Sequence, residues 1–159
     1  MRRLAAGVVV AALGCAAAKQ PVAFDEPARA AVADAIRSES ARMLDVMRGR
    51  NVDSVLAFYG KHTAYVGNGQ IGDWAAILAG APPRYATYTK VDCKWGGALR
   101  VDVLAPEAAV VTARLICDKA DSTGKAWTED VARTEVMGME DGRWRIVAVH
   151  ESAKSGELK

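Results

Sequence analysis

The chain has 159 residues, 51% of them hydrophobic and 25% charged, which fits one domain with a packed core. Lys and Arg number 21 against 19 Asp and Glu, and two of the basic residues, Arg2 and Arg3, sit in the leading segment, so the remainder is balanced at 19 of each. A formally neutral domain gives no electrostatic basis for nucleic-acid binding, and that class is set aside.

The leading segment MRRLAAGVVVAALGCAAAKQ has a basic start, an apolar run from Leu4 to Leu13 and then small residues. This is the pattern of an export signal, too short for an ordinary membrane-spanning helix. Its end reads two ways. ALGC resembles a bacterial lipobox, in which Cys15 becomes lipidated and heads the mature chain. Cleavage after small residues near Ala16-Ala17-Ala18 is the other. Either way the expectation is an exported protein of the periplasm or cell envelope. It would touch the membrane only through a lipid anchor at Cys15. Residues 1–15 are then the signal, 16–24 a tether, 25–153 the domain and 154–159 a polar tail.

Asp25, Glu26 and Pro27 make a helix start: a capping acid, a second acid, and a proline where no N–H is needed. Val32, Ile36, Met43, Leu44 and Met47 follow at helical spacing, so 27–48 is predicted as a long amphipathic helix. Asn51 caps a second, short helix with Val52, Val55, Leu56 and Tyr59 in one stripe, and His62 falls at its end. TAYV is a short strand running into the turn GNG, which suits a hairpin. A third helix opens at Asp73 and Trp74 and is expected to stop at Gly80 and the Pro82-Pro83 pair. From there on the pattern is strand, in five runs separated by GG, AP, DSTG and EDG. Gly96-Gly97 within that pattern points to a bulge or bend. The order gives an α+β domain: three helices packed on a strongly curved, mainly antiparallel sheet.

Cys93 and Cys117 remain after the signal. Counting back from a turn at Ala105-Pro106 places them within one residue of facing each other on hairpin strands. A bulge at Gly96-Gly97 can absorb that slip, so a cross-strand disulfide is expected in an oxidising compartment. Two separate buried thiols are the alternative.

The order of elements, and three local stretches, resemble the SnoaL-like, nuclear-transport-factor-2-like superfamily of cone-shaped domains. The stretches are NVDSVLAFYGKHTAYVGNGQIGDWAAIL, ARTEV followed by EDGRWRIV, and HES at 150–152. Together they span about residues 28–152. The resemblance implies a cone with an inner pocket, and dimers through the outer sheet face are common in such families. Ketosteroid isomerases of this fold use a carboxylate base after the first strand and a tyrosine on the long helix. Those positions fall near Gly67 and Met43 here, so chemistry of that type is not expected. No cofactor is implied.

His150 is the leading site candidate. Strict alternation along RWRIVAVHE puts it on one face with Trp144, Ile146 and Ala148, the face lining the cone. It is either a ligand contact and proton relay or a satisfied structural residue. Tyr65, Trp74, Asp73 and Trp144 complete the set of ligand-binding candidates. Asp73 also has a simpler role at a helix N-terminus, and Trp74 could equally be core. Arg133 and Glu135, on one face with Trp127, Glu129 and Val131, are expected to form a solvated ion pair. His62 and His150 lie too far apart along adjacent strands to share a metal, and no third ligand stands at a recognisable spacing.

Three functions follow as expectations. The first is binding of a small apolar or aromatic molecule, without chemistry. The second is general acid–base catalysis with His150. The third is a non-catalytic module that forms a homodimer. One fold hosts many activities, and whether this one is an enzyme stays open.

Overall fold

The computed structural model describes residues 24–157. The export segment, Cys15 and residues 16–23 of the tether lie outside the described residues. Helix α1 spans Glu26–Arg48, and the Asp25 carboxylate caps it by accepting from the Ala28 N–H at 3.0 Å. Its inward stripe is Ala33, Ile36, Ser40, Met43, Leu44 and Met47. Each large apolar side chain buried in this way contributes about 1.5–3 kcal/mol. Arg48 ties the far end of α1 to the sheet through the Asp92 carboxylate and the Cys93 carbonyl. Helix α2 is short, Val52–Leu56, capped by Asn51.

Strand β1 runs Tyr59–Gly67 and so begins earlier than TAYV. His62, expected at a helix end, is an exposed residue of this strand. Strand β2, Gln70–Gly72, closes the hairpin. The turn residues Asn68 and Gly69 have φ of 49° and 80°, the left-handed pair that a two-residue hairpin turn requires. Helix α3 spans Trp74–Ala86 and runs through Pro82 and Pro83 instead of stopping there. Each proline withholds one N–H from the carbonyl four residues back. That carbonyl sits on Ala79 for Pro83, and both residues are exposed, so water can replace the lost bond.

Five further strands follow: β3 Tyr88–Trp95, β4 Arg100–Ala105, β5 Ala108–Asp121, β6 Ala126–Glu140 and β7 Arg143–Glu157. β7 thus continues into the stretch expected as a polar tail. The sheet order is β2-β1-β7-β6-β5-β3, with β4 also paired to β5. Every pairing is antiparallel except β1 with β7. The result is an α+β fold of helices packed on a curved, mainly antiparallel sheet. Cys93 and Cys117 face each other directly in the β3–β5 ladder, with Cα atoms 4.1 Å apart, and are joined by a disulfide.

One irregularity decides which residues reach the interior. Met137 pairs with Ile146, but Val136 pairs with Ala148, so Val147 is an extra residue in β7. Such a bulge reverses the alternation beyond it. Gly138 makes room: a Cβ there would lie 3.2 Å from a Val147 methyl. Before the bulge Ile146 points inward; after it Val149 does, both nearly fully buried.

Candidate functional site

The helices and the inner sheet face enclose a cavity of about 310 Å³. Met43, Met47, Val55, Leu115 and Val131 give it an apolar wall. Tyr59, Tyr65, Trp74, Tyr85 and Tyr88 add aromatic surface. A ligand pocket of roughly 300 Å³ lies at the small end of the known range.

The polar groups come mainly from strands. Residues 129, 131, 133 and 135 alternate inward along β6, as the period of two demands. Arg133 and Glu135 are therefore buried, at 7% and 2% exposure, and the expectation of a solvated pair is corrected. The reason is position: their face is the concave one, which the helices cover. Arg133 Nε stands 2.5 Å from Glu135 Oε1 without hydrogen-bond alignment, which makes a charge contact and not a directional bond. Arg133 Nη2 donates to the Tyr59 hydroxyl at 2.7 Å, and Nη1 to Glu151 Oε2 at 3.4 Å. The other oxygen of Glu151 accepts from the Tyr65 hydroxyl at 2.6 Å. Three side chains from three strands thus surround one guanidinium, with Tyr65 backing one of them.

This arrangement sets the protonation of its members. Burial pulls Arg133 down, but Tyr59, Glu135 and Glu151 outweigh it and hold the guanidinium above its ordinary range. Burial raises Tyr59 despite Arg133, so its phenol keeps its proton. Burial and the bond to Glu151 raise Tyr65 as well. Burial pushes Tyr85 up to about 12. A second pair lines another part of the wall. Lys119 Nζ donates to Glu129 Oε2 at 2.6 Å, and Trp127 Nε1 to Glu129 Oε1 at 3.1 Å. Burial raises Glu129, but those two donors outweigh it and hold the carboxyl below its ordinary range.

His150 is not among the lining residues. The Val147 bulge turns it to the outer face, where it is exposed opposite Thr134. The inward position expected for His150 belongs to its neighbour Glu151, a lining residue. Tyr65 and Trp74 do line the cavity. Asp73 does not: its carboxylate caps α3 by accepting from the Ala75 N–H at 2.9 Å. Trp144 packs against the core from β7, outside the cavity lining. Sequence reasoning missed Tyr59, Tyr85, Glu129, Arg133 and Glu151 as site residues. The signal for Glu129 and Arg133 was present, since alternating charges on a strand face are costly unless that face has a use. The oxygens of Glu151 are both engaged, so the site offers donors and a self-neutralised charge cluster more readily than a free base.

A family model, that of the calcium/calmodulin dependent protein kinase II association domain, matches residues 98–155. No curated protein matches the sequence. Among solved structures, a hexachlorocyclohexane dehydrochlorinase (LinA) Type2 is 13% identical with a TM-score of 0.68, over 85% of this chain and 94% of that one. The LinA-type3 dehydrochlorinase of Novosphingobium barchaimii is 12% identical with a TM-score of 0.66, over 84% and 94%. The association domain of C. elegans CaMKII is 18% identical with a TM-score of 0.61, over 80% and 99%. At such identities the likeness is one of fold: the chain has the SnoaL-like, nuclear-transport-factor-2-like cone fold that these enzymes and this association domain share.

Proposed function

We propose that the protein binds a small, largely apolar or aromatic molecule in the cone, with one polar group of the ligand at the Tyr59–Arg133–Glu151 end. One observation carries this: a cavity of about 310 Å³ has an apolar and aromatic wall and a compact polar cluster. Such a division of labour gives affinity from the wall and orientation from the cluster. Native mass spectrometry of the protein purified without denaturation tests it. A reproducible added mass of a small molecule, lost on filling the cavity with Ala81→Phe, is expected. An apo mass that stays unchanged with small aromatic compounds present in excess would overturn the reading.

A second reading, self-association, is compatible with the first. It is supported by the association-domain match over β4 to β7, whose outer face the helices leave uncovered. There Thr112, Thr134 and His150 form one cross-strand row, and Arg114, Ala132 and Ser152 the next. A homodimer through these rows predicts a dimer mass by light scattering that falls to a monomer in Thr134→Arg. A wild-type monomer at high concentration would rule it out.

The setting we propose is the cell envelope, with export directed by residues 1–15 and lipidation at Cys15. The Cys93–Cys117 bridge supports it, because disulfides persist in oxidising compartments. Metabolic labelling with a fatty acid should mark the wild type and not Cys15→Ala. Equal labelling of both, or of neither, would remove the anchor.

A further inference from the structure

The cavity's hydrogen-bond groups do not balance. Glu151 gives one oxygen to Tyr65 and one to Arg133, and Glu129 gives one to Lys119 and one to Trp127. All four carboxylate oxygens of the lining are engaged. Two donors are not. Trp74 Nε1 is buried and, among the described residues, has no partner, although Trp74 lines the cavity. The Tyr59 hydroxyl accepts from Arg133 and, among the described residues, donates to nothing. The two rings pack at a tilt with centroids 5.2 Å apart, so both donors belong to one patch of wall. A buried donor without a partner forfeits the bond it made to water in the unfolded chain, and an acceptor on a ligand would restore it.

Charge narrows the acceptor. Arg84, Lys119 and Arg133 are matched by Glu129 and Glu151 on the lining and by Glu135 behind Arg133. Arg84 stands exposed at the mouth, while Arg133 inside is flanked by two carboxylates. A carboxylate ligand at Arg133 would be a third anion around one guanidinium, out of water, where like charges repel strongly. A neutral oxygen meets no such opposition.

We infer that the cavity recognises a neutral carbonyl oxygen, of a ketone, ester or amide, on an aromatic or apolar ligand, through Trp74 Nε1–H and Tyr59 O–H. This rests on the small-molecule reading above and names the ligand class. The ring pair Tyr59–Trp74 gives the ligand's flat body a surface beside the donors. Burial keeps the Tyr59 proton in place as a donor across the physiological range.

Three matched probes test the inference: 4-phenylbutan-2-one, 3-phenylpropanoate and butylbenzene. They share a phenyl group and differ at the polar end. The readout is the indole N–H region of the proton–nitrogen spectrum of the labelled protein, as recovered from an expressing bacterium. The chain has four tryptophans, so the Trp74 signal is assigned by its loss in Trp74→Phe. The ketone should shift that signal downfield and saturably, and bind about tenfold or more tightly than the carboxylate. Trp74→Phe should weaken the ketone about five- to tenfold and leave butylbenzene unchanged, as loss of one hydrogen bond predicts. Equal or tighter binding of the carboxylate, or a ketone that leaves the Trp74 signal unmoved, overturns the carbonyl inference while the binding reading stands. If none of the three binds at millimolar concentration, the binding reading falls with it. The wild-type shift alone decides between these outcomes should the variant fold poorly.

Discussion

Arg133 and Arg114 each meet a carboxylate on the same sheet, Arg133 on its inner face and Arg114 on its outer face. Arg114 makes two bonds to Asp130, at 2.7 and 2.6 Å, in near-ideal geometry. Both partners are exposed, so water competes and salt screens them. Arg133 has looser geometry with Glu135 and Glu151 but almost no access to water. The better-aligned pair is thus the less consequential one. Burial, and not bond count, decides what losing a partner costs, because a stranded charge in the interior has nowhere to turn.

The largest effect follows directly. Arg133→Ala should lower unfolding free energy by about 3–5 kcal/mol in urea titrations, since it strands Glu135. Replacing both, as Arg133→Met with Glu135→Leu, should recover most of that loss. A single variant as stable as wild type would break the contrast. The disulfide is also an inner-face feature, and Cys93→Ala with Cys117→Ala should cost about 2–4 kcal/mol by the same titration. An unchanged midpoint in the double variant would show that the bridge does not constrain the unfolded chain.

The contrast sharpens at two adjacent residues of β7. Glu151→Gln removes one anion from beside Arg133, so 3-phenylpropanoate should bind about tenfold more tightly. His150→Ala, one residue earlier but on the outer face, should leave the binding of 3-phenylpropanoate unaffected. An equal response from His150 would mean that Val147 is not bulged.

A smaller effect is set by pH. Glu129 titrates below its ordinary value of 4.5 in the folded protein. Its contribution is therefore complete above that pH and is lost as pH falls through the lower folded value. The acid limb of a stability–pH curve should flatten in Glu129→Gln, and an unchanged limb would remove Glu129 from the account. Arg114→Ala closes the series: its unfolding midpoint should match wild type within error, and a clear loss would show the outer face to be covered.

Much of the fold was legible because its signals are local. Asp25 and Asn51 cap helices wherever they stand before an apolar stripe, and both do so here. Asn68-Gly69 and Asp141-Gly142 take the left-handed turn their side chains allow. The candidate site was legible only in part. Tyr65 and Trp74 line the cavity, while His150, Asp73 and Trp144 do not. His150 was misplaced because alternation was carried unbroken through Val147. A one-residue bulge leaves no mark in the hydrophobic pattern when its neighbours, here Ile146, Ala148 and Val149, are all apolar.

The sequence by itself determined the types of element, their order and a near-neutral charge, and it brought Cys93 and Cys117 to within one residue of facing. These depend on spacing, capping and composition, which act between near neighbours along the chain. Only the tertiary structure decided which face of each strand is concave. That choice buries Arg133 and Glu135, turns Glu151 inward and leaves Trp74 Nε1 without a partner among the described residues. The physical reason is that inside and outside are properties of the curved, helix-covered sheet. A strand carries two faces in its sequence, and packing alone chooses between them.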